Sequence, residues 1–445
     1  MSKAGTVVIL AAGQGTRMKS ARPKVLHEIC GRPMVGWVVE EALSLDPLKI
    51  VLVVGHGAEE VRAWVAGHPA ADRIECVVQE PQNGTGHALQ VAAAAIPADS
   101  DSVVVLYGDM PVLTRASLEA LIGAREAAGP EGMAMLTAYP DDPTGYGRIL
   151  RDDEGAFRAI VEHRDASEEE RGVGEINLGV YAFPRERLLA YLPRLGSDNA
   201  QGEVYLTDAC AMFVEDGAGV GTVVLEDPEE ALGVNDLTQL AEARWALQVR
   251  ILEELLRSGV QIEDPATTYV DVDVEIGAGT RILPCTVIRA GVRVGAGCEV
   301  GPFTHLRKGT VLEDGAEVGN FTESKNSTLG PGTKAKHLSY LGDARIGARV
   351  NVGAGTIFAN YDGVNKHVTT VGDGAFIGSG TTIVAPNEIG ARSTTGANSV
   401  VTRSATVGED EVWIGIPARQ LPGAKSAAQL KAEAAREAAG QGQGK

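Results

Sequence analysis

From Ile276 onward an aliphatic side chain falls on every sixth position: Ile276, Ile282, Ile288, Val294, Val300, Leu306, Leu312 and Val318 follow without a slip. A period of six fits neither an α-helix nor a flat strand. It suits a parallel β-helix, in which each aliphatic side chain stacks on its counterparts one turn above and one turn below. Glycine stands directly after Ile276, Val294, Val300 and Val318, and the period returns in Val371, Ile377, Ile383 and Ile389. Two stretches, around 323–340 and 358–370, leave the repeat. Departures from a rigid solenoid are where functional side chains can be presented to a ligand.

The first half has another grammar. From Thr6 to about Leu225, short apolar runs such as TVVIL (6–10), IVLVVG (50–55) and SVVVLYGD (102–109) alternate with amphipathic stretches such as 118–127. This is the sequence form of βαβ units, a mostly parallel sheet with helices on both faces. Leu240, Leu247, Ile251 and Leu255 then recur at helical spacing between an Asn-Asp start at 235 and Gly259, which predicts one long connecting helix. At 445 residues the chain exceeds the size at which one core stops growing, roughly 250–300 residues. The expected organisation is an α/β Rossmann-like domain over 1–228, a helical linker over 229–262, a left-handed parallel β-helix of hexapeptide repeats over 263–423 and a tail over 424–445. The tail is rich in Ala, Lys and Glu and ends in glycines, which predicts a helix fraying into disorder.

Composition excludes several classes. A formal net charge of -19 argues against a general nucleic-acid binder, because such binding draws on lysine and arginine neutralising phosphates. Any anionic ligand must meet local basic clusters instead. The five cysteines (Cys30, Cys76, Cys210, Cys285 and Cys298) are widely spaced and form no metal-ligand pattern, which predicts a reduced cytoplasmic protein without a zinc site or disulfide framework. The first apolar run passes straight into AAGQGTRM, leaving no room for a signal peptide, and no stretch approaches the ~20 apolar residues that span a bilayer. No membrane insertion is expected.

The chemistry begins after the first strand. LAAGQGTRMKSARPKVL (10–26) places Gly13 and Gly15 where backbone N–H groups, Arg17 and Lys24 can cradle a polyphosphate. A bare GxG also fits an ordinary strand–helix turn. The larger set is specific: GQGTRM with PKVL, QNGTGHA (82–88), YGDMP (107–111), EINLG (175–179) and GVN (233–235) occur in order. In that set the chain resembles the sugar-1-phosphate nucleotidyltransferase family across its whole first half. The resemblance implies that Leu10, Ala11, Gly13 and Lys24 meet the nucleotide, and that Gln79, Gly84 and Thr85 recognise uracil. It implies that Tyr107, Gly108, Gly147, Glu162, Asn177 and Asn235 line the sugar side. Asp109 and Asn235 would hold Mg²⁺ through hard oxygens, which suits a cation bridging phosphates. A sugar-1-phosphate oxygen attacking the α-phosphorus of UTP needs its developing charge compensated, the task given to Mg²⁺, Arg17 and Lys24.

In the second half, KAKHLSYLGD (334–343) followed by NVGAGTIFANYDGVNKH (351–367) resembles the acetyltransferase half of the bifunctional N-acetylglucosamine-1-phosphate uridyltransferase / glucosamine-1-phosphate N-acetyltransferase family. With the first match this accounts for nearly the whole chain. The resemblance implies His337 as general base, Arg307, Lys325 and Lys366 as sugar-phosphate ligands, and Tyr340 and Asn351 as residues that position the sugar. Asn360 and Tyr361 would face the reacting end of acetyl-CoA, whose groove continues along Ala354, Ser379 and Ala397. An amine attacking a thioester must lose a proton, and imidazole, with an unperturbed pKa of about 6.5, accepts one near neutrality. The implied protein is a cytosolic bacterial enzyme of cell-envelope synthesis, a homotrimer with acetyl-CoA and UTP as co-substrates. Two other readings stay open on sequence alone: a single-activity nucleotidyltransferase whose β-helix only oligomerises or regulates, and a non-catalytic assembly or sensor protein.

Overall fold

The structure, a computed structural model, describes residues 5–441. The chain forms two compact units, Met1–Leu247 and Gln248–Lys445, and the division falls inside a single helix, Leu237–Arg257, at the place the helical spacing predicts.

The first unit is built on a nine-stranded sheet: β1 (Thr6–Ala11), β2 (Lys49–Val54), β3 (Ile74–Val78), β4 (Ser102–Tyr107), β5 (Met133–Ala138), β6 (Arg148–Arg151), β7 (Phe157–Val161), β8 (Ile176–Pro184) and β9 (Val220–Val224). The strands lie in the order β9-β5-β8-β4-β1-β2-β3, with β6 hydrogen-bonded to β8 and β7 continuing as its hairpin partner. β1, β2, β3 and β4 run parallel, whereas β8 is antiparallel to both β4 and β5. β1 explains why the apolar runs have no polar alternation. Val7, Ile9 and Ala11 enter one core with Val35, Val39 and Leu118 from the helices Met34–Ser44 and Arg115–Ala127. Val8, Leu10 and Ala12 enter a second core with Leu89, Leu188 and Phe213 from helices on the opposite face. A strand buried on both faces has no solvent side to mark with polar residues.

The second unit is a triangular prism of three sheets of ten, eight and eight short strands, parallel throughout except for the final pair, Val412–Ile414 with Arg419–Gln420. Each rung pairs a residue with its counterpart one turn later, as Ile282 with Val300, Ile288 with Leu306 and Val294 with Leu312. The aliphatic column is the interior, with Ile282, Ile288, Val300, Leu306, Leu312 and Val318 at most 1% exposed. This is the expected left-handed β-helix of hexapeptide repeats.

One expectation is corrected. The departure read around 323–340 is absent, because the chain stays in the solenoid: Glu317 pairs with Lys334 and Glu323 with Tyr340. The aliphatic period vanishes for two physical reasons. Ser324 takes an interior position at 0% exposure, its Oγ accepting from the Thr310 hydroxyl at 3.2 Å. Two corners are also one residue shorter, so Ser324 is followed inward by Leu329 and Leu341 by Ile346. The second departure is real. Asn360 to His367 leave the prism as a small hairpin with a Tyr361–Lys366 bridge, after which the turn closes with Thr369 beneath Ala344. The tail forms a helix over Ala427–Gln441, and the fraying expected beyond it lies outside the described residues.

Candidate active sites

In the first unit the loops that follow β1 and β4 enclose a cavity of about 390 Å³. Leu10, Ala11, Gly13, Lys24, Gln79, Gly84 and Thr85 all line it, together with Tyr107 and Asp109. A second cavity of about 240 Å³ shares Tyr107 and Asp109 and is lined by Gly147, Glu162, Asn177 and Asn235. Apart from Gly108, the residues grouped by resemblance as nucleotide and sugar sides thus fall into two adjoining chambers.

Between the chambers the Lys24 ammonium reaches Asp109 Oδ2 at 2.5 Å and Asn235 Oδ1 at 3.2 Å. Asn235 is brought there by the segment before the long helix, where the Val234 N–H donates to the Asp109 carbonyl at 2.8 Å. Two hard oxygens converging on one cation fit Mg²⁺, which takes one or two protein oxygens and completes its shell with water and phosphate. Among the described residues no group of three or more His, Cys, Asp and Glu could hold a metal ion by itself.

Local geometry explains the glycines. A Cβ on Gly13 would touch nothing in the protein, so the chain itself leaves that position open to an approaching ligand. Gly179 has φ 75°, and a Cβ there would stand 2.4 Å from the Tyr107 ring. That glycine therefore seats the aromatic ring shared by both chambers. Burial pushes the Tyr107 hydroxyl far above its ordinary pKa, with the carboxylates of Glu162 and Asp109 adding to the effect, so it stays a neutral hydrogen-bonding group. Glu162 is raised too, chiefly by burial, against a hydrogen bond from Thr207. Asn177 is fixed by donating to the Tyr181 hydroxyl at 2.7 Å and accepting from the Gly179 N–H at 3.0 Å.

Two assigned residues stand apart. Arg17 is exposed on the turn Thr16–Met18 and lines neither chamber. Gly108 lies behind the wall, its N–H donating to the Leu10 carbonyl at 2.9 Å. Sequence reasoning missed Glu203 and Gln82 in the first chamber and Tyr146 in the second. Glu203 sits in an irregular segment without periodicity, so nothing in the sequence marked it.

In the second unit His337 ends a strand of the ten-stranded sheet, exposed, where the chain turns the corner at Leu338. One turn later the same corner position is Ala354, then Ser379, then Ala397: the Gly355 N–H meets the His337 carbonyl at 3.4 Å, Gly380 donates to Ala354 and Asn398 to Ser379, each at 2.7 Å. The imidazole and the three small residues therefore form one column along one edge of the prism. Across the adjacent sheet, Arg307 and Lys325 occupy equivalent places on successive turns. Arg307 pairs with Glu323 at 2.6 Å. Lys325 lies against the Lys366 ammonium, and that contact, followed by partial desolvation, lowers its pKa. Asn360 donates to Asp343, and its amide and the Tyr340 ring both crowd Gly342. Arg307, Lys325, Tyr340, Asn360 and Lys366 are thus gathered on one side. Asn351 is not among them: it lies on the ten-stranded sheet below Lys334. Tyr361 is 60% exposed on the hairpin.

Comparison with known proteins gives matches in both halves. Residues 7–201 match the family described as MobA-like NTP transferase domain, and residues 273–308 match the bacterial transferase hexapeptide (six repeats). The chain is 46% identical to a protein named Bifunctional protein GlmU from Thermobifida fusca, over 95% of this chain and 94% of that one. It is 48% identical to the protein of the same name from Alkalilimnicola ehrlichii, over 91% and 93%. The protein of that name from Streptomyces coelicolor is 43% identical, over 98% of each chain.

Proposed function

The chain belongs to the family of the bifunctional GlmU proteins, and from that membership and the two sites we propose how each half works. The protein is a transferase with two activities. Its second unit moves the acetyl group of acetyl-CoA to glucosamine-1-phosphate, and its first unit joins the N-acetylglucosamine-1-phosphate so formed to UTP, releasing pyrophosphate. The observation that carries the reading is the pair of adjoining chambers that share Tyr107 and Asp109, with Lys24 held between Asp109 and Asn235.

In the first unit the uridine end occupies the chamber walled by Gln79, Gly84 and Thr85, and the sugar occupies the chamber of Gly147, Glu162 and Asn177. The α-phosphate then falls at their junction, where a phosphate oxygen of the sugar attacks in line with the departing pyrophosphate. Lys24 binds the phosphates there and offsets the charge that develops on them. Asp109 and Asn235 are the residues that would hold Mg²⁺, which when bound neutralises phosphate charge. No protein nucleophile is needed.

In the second unit Arg307, Lys325 and Lys366 take the sugar phosphate, and Tyr340 and Asn360 orient the ring. His337 accepts the proton of the attacking amine, the tetrahedral adduct collapses, and the CoA sulfur leaves and takes up a proton. Ala354, Ser379 and Ala397 lack bulk, which leaves that edge open to a narrow pantetheine. A homotrimer fits the same geometry. Phe303 and Phe321, both at φ 54° and with rings stacked at 5.2 Å, stand exposed beside Leu338 along one corner, and Asn351, on the ten-stranded sheet, is placed to meet a neighbouring chain's sugar. A cytoplasmic setting is supported by the cysteines Cys76, Cys210, Cys285 and Cys298, which form no disulfide.

The test is a pair of substitutions assayed for both reactions. His337→Ala should abolish CoA-thiol release with glucosamine-1-phosphate and keep pyrophosphate release, and Asp109→Ala should do the reverse. Loss of both reactions in both variants contradicts independent sites.

A further inference from the structure

The hairpin Asn360–His367 carries Lys366 to a place where it is not electrostatically welcome. Its ammonium lies against that of Lys325, with Arg307 also close enough to act on Lys325. Like charges so placed repel, and the Asp343 carboxylate, which acts on both ammoniums, offsets part of that repulsion. A tie further along the hairpin opposes the remainder.

Asp362 is built for that task. Its Oδ1 accepts the backbone N–H groups of Val364 at 2.9 Å and Asn365 at 2.6 Å, which closes the hairpin on itself. Its Oδ2 meets His367 Nε2 at 2.6 Å and Arg403 at 3.4 Å. Arg403 belongs to the solenoid, just past the strand Val400–Val401, two turns beyond the strand Ile357–Ala359 from which the hairpin departs. The carboxyl is held well below the usual carboxylate range, first by the Asn365 N–H and then by His367, so it remains an anion. The root of the hairpin has its own tie, from Asn360 to Asp343.

We propose that Asp362 is a positioning residue for acetyl transfer: its bonds to Val364, Asn365 and His367 hold the hairpin closed, and through Arg403 it clamps the hairpin to the solenoid and keeps Lys366 at the sugar-phosphate subsite against the repulsion of Lys325. This rests on reading Arg307, Lys325 and Lys366 as that subsite. Without the clamp the hairpin stands away from the solenoid in the free protein, and the incoming phosphate must draw it back. If the hairpin is in place only a tenth of the time, apparent affinity for the sugar phosphate falls about tenfold, while the filled site works as before.

The experiment uses the full chain carrying Asp362→Asn, Arg403→Gln or Lys366→Met, with uridyl transfer measured on each sample as a control for intact protein. For Asp362→Asn the KM for glucosamine-1-phosphate should rise about tenfold, with kcat and the KM for acetyl-CoA within about twofold. Arg403→Gln should move the same parameter in the same direction. Hydrogen exchange at the Val364 and Asn365 amides should quicken in Asp362→Asn and slow again when inorganic phosphate is added, but not when Lys366→Met is also present. Unchanged KM with unchanged exchange overturns the clamp, and so does a fall in kcat at unchanged KM. Should Lys366→Met alone leave the sugar-phosphate KM unaltered, the subsite reading itself fails; should Lys366→Met raise it while Asp362→Asn is silent, only the clamp fails.

Discussion

Lys24 contacts two oxygens that lie 85 and 211 residues further along the chain. Each of the three side chains stands in a short motif, but their convergence is a property of the folded sheet, where β4 lies beside β1. Lys24→Met leaves the Asp109 carboxylate facing Asn235 without a cation and removes charge from the phosphate junction. Uridyl transfer should fall on the order of a hundredfold in kcat while acetyl transfer is unaltered, a comparison made by assaying pyrophosphate and CoA thiol on one preparation. Lys325 gives a prediction in pH. Its pKa is lowered, and an anion binds the protonated form, so affinity is complete below the depressed pKa and declines as pH rises through it, earlier than for an ordinary lysine. Product inhibition of acetyl transfer by N-acetylglucosamine-1-phosphate, which has no titrating amine, should weaken with rising pH, and Lys325→Arg should flatten that profile because guanidinium stays charged. Superimposable profiles refute it. His337 was visible as a candidate because its neighbours were unusual, whereas Asp362 and Arg403 were not, since a partner 41 residues away leaves no local trace.

At the scale of the element, the β-helix was legible wherever one aliphatic residue fills one rung. It became illegible where Ser324 replaces the aliphatic and where corners shorten before Leu329 and Ile346. Periodicity measures spacing, and a solenoid can drop a corner residue without opening its interior. Leu329 is fully buried in this stretch. Leu329→Ala should therefore cost about 2–5 kcal/mol. Urea unfolding followed by loss of acetyl transfer should show an earlier midpoint with uridyl transfer unmoved, and an unchanged midpoint would place the residue outside the load of the core. In the first unit the strands were legible as apolar runs, but the reversal of β8 was not, because a strand buried on both faces reads the same in either direction. Outside the prism, Arg281 bridges Glu263 and Glu299, and Lys336 bridges Glu299 and Glu317. Such exposed pairs contribute only about 0.2–1 kcal/mol each, so the interior decides stability.

For the molecule as a whole, two units with separate cores imply two separable equilibria. A ligand that binds only the folded form adds about 2.7 kcal/mol at a hundred times its Kd. UTP with Mg²⁺ should raise the thermal midpoint of the first unit alone, and acetyl-CoA that of the second alone, in a calorimetric scan of the full chain. A shift of both transitions by either ligand would show that the units unfold as one. The column His337, Ala354, Ser379 and Ala397 adds a consequence of another kind. Strands in register are separated by about 4.8 Å, so distances along this edge come only in whole multiples of that step. The edge is a graduated yardstick. A cofactor whose reactive end meets the imidazole has its far end gauged by the number of turns, and deleting one complete turn below Ala354 would shorten the gauge by a single notch while leaving the chemistry at its zero mark untouched.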